Sequence, residues 1–440
     1  MTTTINNEHK KLIFSNEREQ SQACLNSAEH EKNQGRKVLN VPNLRFPEFQ
    51  GEWEKKTIGE IATIKNGPFG SVLHAEDYVD EGMPIVTTEH FKNGSLPLSK
   101  NGIPQVSEDD YCRLKGYMLE KDDIVFSRVG SVDINAHVEQ VQQGWLFSGR
   151  VLRVRPIKSV NSLCLHYVLS TESVKRDIRN RAVGQTMPSI NTPILSNTGI
   201  YMSQLEVEQK KIGKILSLLD DRIATQNKII EDLKKLKSAI IENVFDDKHS
   251  ERLQLDNVGS YIRGLTYSSN DVVEHGGTLV MRSNNIVNGS LLDYNNNVVF
   301  VNKQMSAEQQ LQNGDIVICM ANGSSSLVGK SSFYDGNCHS PITVGAFCGI
   351  YRSKEPIVKW LFQTNKYRRY IWNSLQGGNG AIANLNGEDI LNMSFSIPNA
   401  PIKDTCVKML TSVDSALENN MSLCALYTLQ KQHLLRQMFI

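Results

Sequence analysis

The residues able to make chemical contacts lie in loops that follow strand-like runs, and these loops come in two sets. Ile64–Ser71 reads IKNGPFGS: Lys65, Asn66, Gly67, Phe69, Gly70 and Ser71 place backbone N–H groups and a small hydroxyl beside a cation. Such a turn suits a phosphate or a base edge, although a plain hairpin needs the same residues. Its counterpart Ile262–Ser269, IRGLTYSS, carries Arg263. Two basic pairs, Lys175-Arg176 and Arg368-Arg369, stand 193 residues apart near the end of helix-like segments, and Arg179 and Arg181 extend the first. Each is followed by a polar loop with glycine, GQTMPSIN and GGNGAIANLN. Repetition beside such loops suits phosphate contact, while cations near a helix C-terminus also complement its dipole. Side chains fit to read base edges share these loops: Arg128, Gln185, Thr186, Arg282, Asn284 and Asn285. Arginine matches guanine, and asparagine or glutamine matches adenine. Lys330 completes this candidate nucleic-acid-binding set.

Catalytic sets are not found. There is no [DN]-P-P-[YF] motif of an amino-methyltransferase, no Walker A loop and no G-x-G-x-x-G. Glu54-Lys55-Lys56 holds an E-x-K fragment without a preceding acidic partner, so a solvated charge run explains it. His137, His166 and His339 form no triad pattern with Ser148. Eight cysteines are scattered singly, and Cys338-His339 with Cys348 lacks a fourth ligand, so neither a disulfide framework nor a metal site is expected. A net charge of +1 over 440 residues gives no global basic field, so nucleic-acid binding must rest on local patches or on partners. The first residues lack the apolar core of a signal peptide and no run reaches membrane-spanning length, which points to the cytoplasm.

These residues need elements to hold them, and the second half of the chain re-reads the first. TIGEIATIKNG (Thr57–Gly67) faces QLDNVGSYIRG (Gln254–Gly264), and KDDIVFSRVGS (Lys121–Ser131) faces NGDIVICMANGS (Asn313–Ser324). INTPILSNTGI faces LNGEDILNMSF, and KILSLLDDRIATQ faces KMLTSVDSALENN, always 192–197 residues on. Constant order and spacing mean a duplicated module. Each copy opens with short β-branched runs bounded by Gly, Asn and Asp, then becomes helical. From Val207 to Phe245, apolar residues recur every three or four positions (Ile212, Leu216, Leu219, Ile223, Ile230, Leu233, Leu236, Ile240, Val244), broken only at Gln226. A helix of that extent runs roughly 55 Å. The second copy keeps the stripe at Cys406, Leu410, Val413, Leu417, Cys424, Tyr427, Leu434 and Met438. An ordinary core helix shows such a stripe too, but its length and recurrence favour two coiled-coil helices paired antiparallel. The fold expected is α+β: two mixed α/β domains separated by two paired helices. The boundaries are an extension over 1–40, a first mixed α/β domain over 41–204, a central helix over 205–247, a second such domain over 248–400 and a C-terminal helix over 401–440.

LRFPEFQGEWEKKTIGEIATIKNGPFGS, DDIVFSRVGS and the run from PSINTPILSNTGI through EVEQKKIGKILSLLDDRIATQ to ENVF make the chain resemble the specificity subunit of type I restriction-modification systems, from about Val41 onward. The resemblance implies a non-catalytic subunit whose two domains each read half of a split double-stranded DNA site. The paired helices would set the gap and dock two methyltransferase subunits, through Glu208, Gln209, Ile212, Leu216, Leu219 and Ile223. It implies no cofactor on this chain; S-adenosylmethionine, ATP and Mg2+ would belong to the methyltransferase and restriction subunits. PIKDTCVKML, where the first copy has EVEQKKIGKIL, departs from the family's Glu-Gln signature and leaves docking by the C-terminal helix open. Two other readings remain: a recognition subunit serving another restriction-methylation enzyme in trans, and a coiled-coil scaffold for protein partners. In the repeated phrase, Arg128 is matched by Met320 and marks where the two copies part.

Overall fold

The computed structural model describes residues 40–68, 73, 75–246, 251–375 and 383–440, so the expected extension lies almost wholly outside the described residues. The described chain forms two units, one of the residues up to Asp220 with Leu429–Ile440, the other of Asp221–Thr428. The division cuts both long helices, where the sequence pattern sets each helix apart, because each half of each helix packs into the core of its own unit.

Unit 1 runs β1 (Glu54–Thr57), α1 (Ile58–Ile61), β2 (Ala62–Asn66), β3 (Tyr78–Val79), β4 (Met83–Val86), β5 (Gln105–Val106) and α2 (Glu108–Arg113). It continues with β6 (Ile124–Ser127), β7 (Asn135–His137), β8 (Leu146–Phe147), β9 (Val151–Pro156), α3 (Ser162–Leu169) and α4 (Glu172–Arg181). Then come α5 (Thr192–Ser196), β10 (Gly199–Met202) and the long α6 (Glu206–Val244). Unit 2 repeats the plan with β11 (Glu251–Gln254), α7 (Leu255–Val258), β12 (Gly259–Arg263), β13 (Val272–Val273), β14 (Thr278–Met281) and β15 (Val299–Val301). Next are β16 (Ile316–Cys319), β17 (Ala321–Asn322), β18 (Ser331–Phe333), β19 (Ile342–Val344), β20 (Cys348–Ser353), α8 (Val358–Leu361) and α9 (Asn365–Leu375). β21 (Ala383–Asn384), α10 (Gly387–Leu391), β22 (Ser394–Ile397) and α11 (Ala400–Gln437) complete it.

Strand order is the same in both units. The central sheet is β2-β9-β6-β7 in one and β12-β20-β16-β18 in the other. Each has a second sheet, β3-β5-β4-β8 and β13-β15-β14-β19, whose last pair is parallel. Each has an antiparallel pair closing its ends, β1-β10 and β11-β22, and unit 2 adds β17-β21. The apolar runs Ile124–Phe126 and Ile316–Ile318 are buried throughout because the central sheet separates two cores. Ile124 and Phe126 face the core built with the helices, and Val125 faces the core under the second sheet. Ile316, Ile318 and Val317 divide in the same way.

The acid before each run is structural. Asp123 accepts from the Glu120 backbone N–H at 2.8 Å and takes both Nε and Nη2 of Arg155 at 2.7 and 2.8 Å. Asp315 accepts from the Gln312 N–H at 2.7 Å and takes the same two nitrogens of Arg352 at 2.8 and 2.6 Å. The residue before it turns the chain through a left-handed conformation, φ +70° at Asp122 and +89° at Gly314. Glycine meets that demand without strain and aspartate is among the few residues that tolerate it.

The long helices run antiparallel within each unit. In unit 1, Lys431 of α11 meets Asp220 of α6 at 2.6 Å. In unit 2, Arg222 lies over Tyr427, Gln226 bonds Asn420, and Lys237 meets Asp414 at 2.7 Å, so residue numbers rise on one helix as they fall on the other. The stripe expected on α6 holds for Ile212, Leu216, Leu219, Ile230 and Val244, but Leu236 is half in solvent and Ile241 takes the inward place beside Ile240. The gap in the stripe at Gln226 is a buried polar layer satisfied by Asn420. In unit 1 the segment before β1 seals the helix ends: the Leu44 N–H donates to the Gln437 carbonyl, and Trp53 packs edge-on against Phe439.

Candidate nucleic-acid interface

One end of each central sheet gathers the sequence-selected loops. In unit 1 three backbone stretches lie side by side there: the Arg128 N–H donates to the Arg150 carbonyl at 3.0 Å, and the Ile190 N–H donates to the Arg128 carbonyl at 2.9 Å. Unit 2 repeats the arrangement, Met320 N–H to Phe347 carbonyl at 2.9 Å and Leu385 N–H to Met320 carbonyl at 2.8 Å. Glycine makes the packing behind these loops fit. A Cβ on Gly67 would collide with the Ser148 carbonyl, and one on Gly264 with the carbonyls of Gly345 and Cys348. The glycine of IKNG and YIRG therefore admits a neighbouring loop of its own chain, which corrects the expectation that Gly67 brings backbone to a phosphate.

From this end unit 1 projects a finger. Val183 and Ser189 exchange backbone hydrogen bonds at 2.9 Å, Gly130 N–H donates to Pro188, and Val129 bridges to Ser189, so the loop is pinned at its base. Gln185 and Thr186 are exposed at its tip with Met187, and Val183 is exposed at its base; neither Val183 nor Met187 carries a polar signal in the sequence. Unit 2 has a cleft of about 520 Å³ there, bordered by Tyr267, Arg282, Asn284 and Phe347. Arg282 is exposed and donates to the Asn297 carbonyl at 3.2 Å, and Asn284 is exposed beside it.

Other candidates are placed differently. Arg128 is half-buried with Nη1 on the Gly149 carbonyl at 3.1 Å, and Met320 is buried, so the Arg128/Met320 difference lies inside the fold. Lys65 donates to the Gly116 carbonyl at 2.7 Å and lies over the Tyr117 ring, which ties it down. Asn285 is buried and its amide is used within its loop: it accepts from Arg282 N–H and donates to the carbonyls of Asp293 and Asn296. It is a loop brace, which corrects its place among the base readers. Asn66 is half-buried at the end of β2, Arg263 is exposed at the end of β12, and Phe69, Gly70 and Ser71 lie outside the described residues.

The basic pairs fall in the first half of α4 and α9 rather than at a helix C-terminus, which removes the dipole explanation. Arg176, Arg368 and Arg369 are exposed, and Lys175 is half-buried. Arg179 is neutralised by Asp133 at 2.5 Å and by Glu172, and these carboxylates hold its guanidinium above its ordinary range. Arg368 borders a cleft of about 360 Å³ together with Lys330, Ser326 and the exposed Trp372, so the structure brings two candidate cations of unit 2 to one place.

Residues 50–235 match the family described as the type I restriction modification DNA specificity domain. The fold agrees along most of the chain: the S subunit of a type I system from M. genitalium superposes with a TM-score of 0.61 at 15% identity, covering 91% of this chain and 99% of that one. Over residues 50–235 the chain is thus similar to type I specificity domains, and its fold is that of such a subunit. Its curated relatives include a putative type I specificity subunit from Methanocaldococcus jannaschii, 31% identical over 222 residues, or 48% of this chain and 49% of the relative. The EcoKI specificity subunit of Escherichia coli is 35% identical over 155 residues, 33% of this chain and 31% of the relative. The chain thus spans half or less of the length of these relatives.

The helix face assigned to docking by the specificity-subunit resemblance is turned inward. Glu208 is fully buried, takes Nε and Nη2 of Arg45 at 2.7 and 2.8 Å, and accepts from Ser203. Gln209 accepts from the Asn161 N–H and donates to the Ser203 carbonyl, both at 2.8 Å. Ile212, Leu216 and Leu219 are buried, and Ile223 is half-buried. The Glu-Gln signature thus fastens the start of α6 to β10, α3 and the Arg45 segment. A stripe at core spacing is covered by its own chain, so this corrects the assignment of that face to a partner.

Proposed function

We propose that this chain is the non-catalytic DNA-reading subunit of a type I restriction-modification complex, with each unit reading one half of a bipartite double-stranded site. The observation that carries this is the pairing of sameness with difference. The two units share strand order and backbone hydrogen bonding down to the loops at one end of the central sheet. At that end one carries a polar finger with Gln185 and Thr186, the other a cleft bordered by Arg282 and Asn284. A duplicated frame with changed furnishings is what two different half-sites require. In this reading α6 and α11 form a coiled coil that sets the gap between halves. Their outward faces, rather than the stripe around Ile212, dock the methyltransferase subunits. Those subunits supply S-adenosylmethionine, restriction subunits bring ATP and Mg2+ chemistry, and the complex works in the cytoplasm. Exposed Arg176, Arg368 and Arg369 with Lys175 and Lys330 contact phosphates.

Co-expression with the methyltransferase subunits followed by methylome sequencing tests the reading: one split motif is expected, and methylation without sequence preference overturns it. Charge reversal at Lys175, Arg176, Arg368 and Arg369 together is expected to weaken DNA binding. It should also flatten the salt dependence, the log–log slope falling by roughly one for each phosphate no longer neutralised.

A further inference from the structure

Two exposed side chains occupy the same place in the two units, and neither belongs to the residues singled out from the sequence. Arg150 immediately precedes β9, and Phe347 immediately precedes β20, 197 residues on. The backbone beneath each is fixed by the same hydrogen bond, from Arg128 in unit 1 and from Met320 in unit 2. Behind each, Gly67 or Gly264 lets the first strand of the central sheet press against the loop. A side chain carried on such a braced backbone is held in place before it meets a ligand. Arg150 is exposed, and its guanidinium makes no hydrogen bond or ion pair with the described residues. Phe347 is 65% exposed at the rim of the cleft that holds Arg282 and Asn284. Its neighbours are fitted to hydrogen-bond base edges, while its ring offers only an apolar contact.

We propose that Arg150 and Phe347 are the equivalent specificity-determining side chains of the two units. Arg150 donates two hydrogen bonds to O6 and N7 of a guanine in the major groove. Phe347 packs against the C5-methyl group of a thymine. This rests on the DNA-reading function proposed above and makes it specific: the two half-sites differ where an arginine in one frame is a phenylalanine in the other.

The test uses the full chain with its methyltransferase subunits and reads the methylated motif. A wild-type complex that methylates without a motif overturns the DNA-reading function itself. Given a split motif, one half is expected to contain a guanine that Arg150→Lys loosens roughly ten- to hundredfold, since lysine keeps the charge but loses the fork. The other half is expected to contain a thymine, and Phe347→Arg to shift that position toward guanine. In each case the opposite half stays as strict as before. Where either variant fails to assemble, Arg150→Gln and Phe347→Leu fit the same exposed positions and must each loosen their own half. Unchanged strictness in assembled variants overturns the proposal, and so does a change spread over both halves.

Discussion

At the start of α6, Gln209 accepts a hydrogen bond from the Asn161 backbone. At the start of α11 the equivalent positions, 194 residues on, hold Lys403 and Glu355, joined as an ion pair at 3.1 Å. Beside Gln209 lies Glu208, wholly buried on Arg45; beside Lys403 lies Ile402, half in solvent. One joint is thus closed by neutral bonds and a buried charge pair, the other by a single partly exposed salt bridge. The lesson is that this joint constrains reach and complementarity rather than residue identity. The PIKDTCVKML departure from the signature is a replacement of the joint, not its loss.

That contrast predicts unequal damage. Arg45→Ala leaves the Glu208 carboxylate buried without its cation and is expected to cost about 4 kcal/mol, confined to unit 1. Lys403→Ala removes a bridge whose partners are both partly solvated and is expected to cost at most about 1 kcal/mol in unit 2. Hydrogen exchange measured peptide by peptide separates the two units; equal losses would erase the comparison.

Where the units agree, damage should be equal. Arg155→Met and Arg352→Met each strand a buried aspartate under the central sheet, at 1% and 2% side-chain exposure. Each is expected to cost about 3 kcal/mol in its own unit, read from the urea midpoint of its exchange protection. A loss in only one unit would show that the shared geometry is not shared energetics.

A subtler difference lies beneath α3 and α8. In unit 1 Tyr167 donates to Asp220 at 2.7 Å, and Lys431 bonds the other oxygen. In unit 2 Trp360 donates to Asp414 at 3.1 Å, with Lys237 and Lys359 both on that carboxylate. The position of Lys359 is His166 in unit 1, buried with Nδ1 on Asn135 at 2.6 Å. Burial pushes its pKa down to about 3, with the positive charge of neighbouring groups adding to the effect. The unfolded chain takes up that proton below about pH 6.5 and the folded unit does not, so the stability is present above 6.5 and lost as pH falls. From pH 6.5 to 5 this amounts to about 2 kcal/mol in unit 1. The same urea midpoints, taken across that range in wild type and His166→Gln, are expected to show a shallower slope in the variant, with half-buried His137 and His90, whose pKa values burial also lowers, keeping their own shares. An unchanged slope assigns it to those other groups.

The frame was legible because duplication wrote it twice. Asp123 and Asp315, Gly67 and Gly264, and Asn191 and Asn386, which cap α5 and α10, recur at near-constant spacing and do the same work in both units. The surface was harder to see. Arg128 and Met320 drew notice because their types differ, yet both side chains are turned into the fold. Arg150 and Phe347 sit one strand away, and the signal that finds them is their position just before VLRVRP and CGIYRS, which needs the sheet order to interpret. The α6 stripe misled in the opposite sense, since periodicity locates a buried face without saying whether its own chain or a partner covers it.

Unit 1 draws its core from two stretches separated by more than two hundred residues: Met438 and Phe439 lie with Ile212 and Leu216, and Lys431 reaches Asp220. On the ribosome, unit 2 therefore has all its residues before unit 1 does, although unit 1 is begun first. Until Leu429–Ile440 emerge, the inner face of the first turns of α6 stands open. A frameshift or nonsense codon shortly before Leu429 would spare the unit begun second and unmake the one begun first, leaving a chain with one finished frame and one that can only be met by chaperones or proteases.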